Sequence, residues 1–210
     1  MTDSRLLRTA FLLAAFTIVY NIVEGLVATY FGYGDESLAL FGFGVDSFIE
    51  TVSGFGILHM TVRMRRDPGA NRGPFEKTAL RITGVSFYVL VTGLLIGSAY
   101  NFWTGHKPQT TVWGVIISLI SIAVMWALIL GKNSVGTQLH SEAIHADARC
   151  TKICIYMSVV LLISSGLFEL TGFAYIDTLG TLGLVYLSFT EGRECFEKAS
   201  NNNHSCSCGD

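Results

Sequence analysis

Six long apolar stretches restrict this sequence to a membrane fold. They lie at residues 9–32, 38–62, 81–103, 111–131, 143–168 and 174–191. Each is close to or above the roughly 20 residues that an α-helix needs to cross about 30 Å of hydrocarbon. Charged residues make up only 14% of the chain, whereas a soluble domain carries about 25%. We therefore predict an all-α integral membrane protein, a bundle of six transmembrane helices in the lipid bilayer, and exclude an ordinary soluble enzyme.

The basic residues predict how the bundle is oriented. Two precede the first span, six lie between the second and third, Lys132 follows the fourth and two follow the sixth, so 11 of the 14 share one side. Because Lys and Arg concentrate on the cytoplasmic side of a membrane, we predict that both termini are cytoplasmic. The net charge of −2 provides no basic surface for a nucleic-acid partner.

The chain divides into a six-helix transmembrane domain at residues 1–198 and a polar tail at residues 199–210. His204, Cys206 and Cys208 in the tail could capture a metal ion in the cytoplasm, and Cys195 could join them. A flexible tail with incidental Cys and His residues is the alternative. The short chain, with no targeting extension, favours a bacterial inner membrane.

Two of the predicted spans carry several ionisable or thiol side chains along one helix face, where such groups are costly and usually functional. In the second span Asp46 and Glu50 are four residues apart, so a helix places them on one face, about 40° apart. In the fifth span Asp147, Cys150 and Cys154 follow the spacing i, i+3, i+7, again along one face. The two spans cross in opposite directions and can be neighbours.

Carboxylate oxygens and thiolate sulfurs are both zinc ligands, and thiolates favour zinc or cadmium over magnesium or calcium. The candidate metal ligands are therefore Asp46, Glu50, Asp147, Cys150 and Cys154. A structural alternative remains open, in which Asp147 neutralises Arg149 or Lys152 and the cysteines are small apolar residues. Glu24 in the first span is a weaker candidate, or a salt-bridge partner within the bundle.

These residues belong to motifs that resemble a known family. The motifs are NIVEG at 21–25, SLAL at 37–40, DSFIE at 46–50, SEAIHAD at 141–147, Asp177, and EGRE at 191–194. Together they resemble the transmembrane half of the cation diffusion facilitators, which export zinc and similar divalent ions. The resemblance covers about residues 10–198.

The resemblance implies a metal site between the second and fifth spans, proton antiport and usually a homodimer. The family's second-span pair falls on Asp46 and Glu50, and its fifth-span pair falls on Cys150 and Cys154. Glu replaces the second Asp, Cys replaces both His and Asp, and the usual cytoplasmic domain is absent, so the chain resembles a short branch. In such a branch Asp147 can be a ligand and Cys150 a bystander. We rank Asp46, Glu50 and Cys154 first, then Asp147, then Cys150.

The sequence thus predicts a zinc or cadmium efflux transporter that exchanges metal for protons. Metal binding requires deprotonated ligands, so loading releases protons and protonation ejects the metal. No covalent bond is made or broken, so we predict neither an enzyme nor a prosthetic group. A membrane sensor or accessory protein that binds metal without moving it is the main alternative. A structural subunit with paired acids is the other.

Overall fold

The computed structural model describes residues 3–34, 37–64, 74–104, 108–139, 142–173 and 175–200. Six α-helices account for nearly all of them. Their bounds are α1 Asp3–Gly34, α2 Leu38–Met64, α3 Pro74–Thr104, α4 Val112–Gln138, α5 Glu142–Thr171 and α6 Tyr175–Ser200. The predicted all-α architecture is confirmed.

The distribution of polar and apolar side chains is that of a protein surrounded by lipid. Helices α1 to α5 each contain a stretch long and apolar enough to cross a membrane, whereas α6 is not among them. Along α6 polar side chains point inward, with Asp177 and Thr181 buried, while Leu179 and Tyr186 are more than half exposed. This reverses the pattern of a soluble helix, which keeps its apolar face inside. The low hydropathy of α6 therefore reflects a polar lining inside the bundle.

The helices are arranged as two rows of three. Within the rows α2 contacts α1 and α3, and α5 contacts α4 and α6. Between the rows α1 contacts α4, α2 contacts α5, and α3 contacts α6, with a further contact between α2 and α6. The second and fifth helices are therefore central and adjacent, as their motifs predict.

Helices α1 and α2 approach each other closely at a glycine. A Cβ atom added to Gly44 would lie 2.6 Å from the backbone nitrogen of Thr29, closer than van der Waals contact allows. Small residues permit such backbone approach between membrane helices. The contact fixes the register of α2 against α1 just before Asp46.

One element of the topology prediction is wrong. Lys132 was expected to follow the fourth span, but α4 continues to Gln138 and the Lys132 side chain is only 1% exposed. Its Nζ donates a hydrogen bond of 2.8 Å to the hydroxyl oxygen of Thr151 on α5. A lysine that finds polar partners inside the bundle does not end a span, so Lys132 contributes nothing to the predicted orientation.

Candidate metal centre

Side chains from α1, α2 and α5 meet at Glu50, near the middle of α2. The Cys154 thiol donates a hydrogen bond of 2.8 Å to Oε1 of Glu50. The amide Nδ2 of Asn21 donates one of 3.1 Å to Oε2. Cys154 and Asn21 are both buried. The Glu50 carboxylate is therefore held from both sides, by a thiol and by an amide.

Asp46 lies one helical turn before Glu50 and is 3% exposed. Among the described residues its Oδ1 atom has no hydrogen-bond partner, and neither has the amide oxygen of Asn21. Buried polar atoms without partners cost free energy and are rare in native structures. Two such oxygens beside the Glu50–Cys154 pair are suited to a bound cation.

Four carboxyl groups interact electrostatically at this centre. Glu50 interacts electrostatically with Glu24 on α1 and Glu191 on α6, and Asp46 interacts with Glu50, Glu24 and Glu191. Lys132 on α4 also acts on Glu50. Because charges interact strongly in a low-dielectric interior, this arrangement favours the binding of a cation.

Glu24 differs from the other acids in its partners. The Tyr20 hydroxyl donates to its Oε1 at 2.9 Å, and the Ser47 hydroxyl donates to its Oε2 at 3.1 Å. Hydroxyl groups from α1 and α2 thus hold this carboxyl group, where the sequence suggested a salt bridge. Each Glu24 oxygen thus accepts a hydrogen bond from the protein, while the carboxyl group interacts electrostatically with Asp46 and Glu50.

The structure brings together some of the predicted ligands. Glu50 and Cys154 are in contact, and Asp46 is one turn away on the same helix. Asp147 and Cys150 lie on α5, but their side chains are outside the described part of the chain, as are the tail residues His204, Cys206 and Cys208. Among the side chains that are described, no three from His, Cys, Asp and Glu cluster closely enough to hold a metal ion.

Cys195 and Lys152 have surroundings that the sequence did not predict. Cys195, which the sequence analysis considered as a companion of the tail cysteines, is 5% exposed and belongs to the main apolar core with Phe87 and Leu184. Lys152 is exposed, and its Nζ lies 5.7 Å from the centre of the Tyr156 ring. The Lys152 ammonium group therefore lies beside an aromatic ring at the exposed face of α5.

Sequence reasoning did not select Asn21, Glu191 or Lys132 as part of the centre. Asn21 belongs to the NIVEG motif, three residues before Glu24 on the same face of α1. Glu191 continues the buried polar stripe of α6 that begins at Asp177. For both residues helical spacing held a usable signal. Lys132 offered none, since a lysine near a predicted span end is ordinary.

Comparison with known proteins identifies the family. The model of the cation efflux transmembrane domain matches residues 10–201 of the 210-residue chain. The chain belongs to the cation efflux family. None of the curated proteins compared with it gives a significant match. The family match confirms the resemblance inferred from the motifs. Cation efflux proteins are membrane transporters of metal ions rather than enzymes.

Proposed function

We propose that this cation efflux protein exports a divalent metal ion, zinc or cadmium, in exchange for protons, through the centre between α2 and α5. The observation that carries the proposal is the 2.8 Å hydrogen bond from the Cys154 thiol to Glu50. Thiol and carboxyl groups are both zinc ligands once deprotonated. Here they belong to different helices and already touch.

The ligands that we propose lie on these two helices. Asp46, Glu50 and Cys154 form the primary set, Asp147 is next, and Cys150 follows. Oδ1 of Asp46, for which the described residues provide no hydrogen-bond partner, supplies an oxygen one turn from the Glu50–Cys154 pair. Side-chain rotation would bring it to the pair when a metal ion is bound.

The same contact suggests how metal and protons are coupled. The thiol proton lies between the Cys154 sulfur and Glu50 Oε1, where a shared metal ion would bridge the two groups. Metal binding must displace that proton, because thiolate is the ligand form of cysteine. A lower pH therefore favours metal release, and a higher pH favours metal loading.

A sulfur ligand also bears on which metal is carried. Thiolate favours softer ions, so zinc and cadmium are preferred over magnesium and calcium. We further propose, from the basic residues and the family resemblance, a bacterial inner-membrane protein with both termini in the cytoplasm that acts as a homodimer. The tail at 199–210 would capture cytoplasmic metal.

The test is zinc and cadmium flux into proteoliposomes under an imposed pH gradient. Wild type, Glu50→Gln and Cys154→Ser are compared with Glu169→Gln, an exposed glutamate on the same α5 helix, as the matched control. We expect gradient-dependent flux in wild type and control, and loss of at least about 100-fold in Glu50→Gln. Cys154→Ser should lose cadmium flux more than zinc flux, because serine removes the soft ligand.

Each other outcome has a defined meaning. Flux of both metals retained by Cys154→Ser would remove the thiol from the centre and move the site toward Asp147. Metal bound at equilibrium without flux in wild type would identify a sensor or accessory protein. Neither binding nor flux would leave a structural role.

A further inference from the structure

The Asn21 side chain is fixed beside the candidate metal centre. Its Nδ2 donates a hydrogen bond of 3.1 Å to Oε2 of Glu50, and the side chain is 3% exposed. Three residues later on α1, Glu24 accepts a hydrogen bond of 3.1 Å from the Ser47 hydroxyl on α2. Two hydrogen bonds about one turn apart therefore hold this part of α1 against α2.

The amide oxygen of Asn21 is in an unusual position for a buried atom. Among the described residues it accepts no hydrogen bond, although buried amides normally use their acceptor as well as their donors. The oxygen and Nδ2 are bonded to the same carbon, which places them about 2.2 Å apart. Because Nδ2 is 3.1 Å from Glu50 Oε2, the amide oxygen is at most about 5.3 Å from that carboxylate oxygen. A modest rotation of the amide would let both oxygens bind one cation.

The Glu50–Cys154 pair needs further donors to hold a metal ion. Zinc usually takes four ligands, and the described His, Cys, Asp and Glu side chains do not by themselves form a group of three that could bind one. Asp46 lies one helical turn away, whereas the Asn21 amide already contacts Glu50. With Asn21 included, α1, α2 and α5 each supply a donor at this position.

We propose that Asn21 is a ligand of the transported ion, which it binds through Oδ1, and that this neutral oxygen favours zinc over cadmium. The inference rests on the metal centre of the proposed function. Carbonyl oxygen is a hard donor and thiolate a soft one. Cadmium is the softer of the two ions, so it gains less from the amide than zinc does.

The competing role for Asn21 is that of a positioning residue, whose NH₂ group orients Glu50 and whose oxygen binds nothing. Two variants separate the roles. Asn21→Leu has nearly the same size and removes both the donor and the oxygen. Asn21→Asp keeps an oxygen in place and removes the donor. A ligand is lost only in the first variant, whereas a donor to Glu50 is lost in both.

The experiment titrates the purified full-length protein with zinc and with cadmium against a chromophoric chelator, at fixed pH and ionic strength. In Asn21→Leu we expect zinc affinity to fall by about tenfold or more, and the ratio of zinc to cadmium affinity to fall by about threefold or more. In Asn21→Asp the ratio should equal or exceed that of wild type. Because both ions are divalent, damage to the fold or a changed net charge affects them alike and leaves the ratio unmoved.

Cadmium NMR of the loaded protein gives a spectroscopic readout. The resonance of the centre is the one that Cys154→Ser displaces, and we expect Asn21→Leu to shift it as well. The matched control is Thr17→Val, one turn before Asn21 on α1. The Thr17 hydroxyl donates a hydrogen bond of 2.9 Å to the Leu13 carbonyl of its own helix, so this variant should keep the wild-type resonance and both affinities.

The outcomes distinguish failure of this inference from failure of the metal centre. Unchanged zinc affinity in Asn21→Leu would overturn the inference alone, as would an unchanged affinity ratio and cadmium resonance or an equal loss of zinc preference in Asn21→Leu and Asn21→Asp. If Asn21→Leu does not fold, Asn21→Ser, which has a shorter side chain, replaces it in the same comparison. Absence of zinc and cadmium binding in wild type would overturn the metal centre together with the inference.

Discussion

Two buried aspartates in this bundle meet very different surroundings. Asp177 on α6 is 2% exposed and Asp46 on α2 is 3% exposed. Asp177 accepts hydrogen bonds from the Ser37 hydroxyl at 2.7 Å and from the backbone N–H of Leu38 at 3.0 Å. In the described part of the chain Oδ1 of Asp46 accepts none. The same residue type is thus saturated at one position and left open at the other.

Under the proposed function, the difference separates a structural acid from a metal ligand. Ser37 caps α2, since its Oγ accepts the N–H of Leu40 at 3.2 Å, and Asp177 adds a negative charge at the same helix start, where the helix dipole favours it. Every partner of that clamp is part of the protein. In the described part of the chain no donor offsets the burial of Oδ1 of Asp46, which fits the proposal that its partner is the transported ion.

The largest expected effect is that of Asp46→Asn on transport. The amide keeps the shape of the side chain but removes the anionic oxygen, so we expect metal flux in proteoliposomes to fall by about 100-fold or more. Folding should be unharmed or slightly improved, because the variant no longer buries a charge. Thermal unfolding in detergent, measured beside flux, separates the two effects. Metal flux at the wild-type rate in this variant would contradict the functional distinction between Asp46 and Asp177.

For Asp177→Asn we expect the opposite pattern, a loss of stability with metal binding retained. The new amide NH₂ group cannot accept a hydrogen bond, so either the Ser37 hydroxyl or the Leu38 N–H would lose its acceptor. The other donor would face an uncharged oxygen. We expect a loss of stability of about 1–3 kcal/mol, measured by denaturant titration, with zinc affinity within about threefold of wild type. Ser37→Ala is the matched variant and should lose about 1 kcal/mol, typical of an N-cap. A larger loss of zinc affinity than of stability would place Asp177 in the transport pathway.

The centre could be predicted from sequence wherever the controlling physics is local. The length of the apolar stretches predicts six helices, because each must satisfy its own backbone hydrogen bonds within lipid. The four-residue spacing of Asp46 and Glu50 places them on one face of α2. Cys154 follows from the same periodicity on α5. The structure puts Glu50 and Cys154 in contact, as that pattern requires.

What the sequence did not predict depends on contacts between distant segments. The burial of Lys132 follows from the position of Thr151 on the next helix, and the inward turn of Cys195 follows from the packing of α6 against α3. Asn21 reaches Glu50 only because α1 lies close to α2 at Gly44. No single-helix pattern specifies these contacts, since each requires knowing which helices are neighbours.

The smallest expected effect comes from a second acidic clamp that is exposed. Glu169 on α5 accepts hydrogen bonds from the Thr110 hydroxyl at 2.7 Å and from the backbone N–H of Thr111, at the start of α4, much as Asp177 does for α2. Water can replace an exposed acceptor, so Glu169→Gln should cost about 0.5 kcal/mol or less and leave flux unchanged. The same denaturant titration compares it with Asp177→Asn. Equal losses in the two variants would mean that burial does not decide how much such a clamp stabilises a helix start.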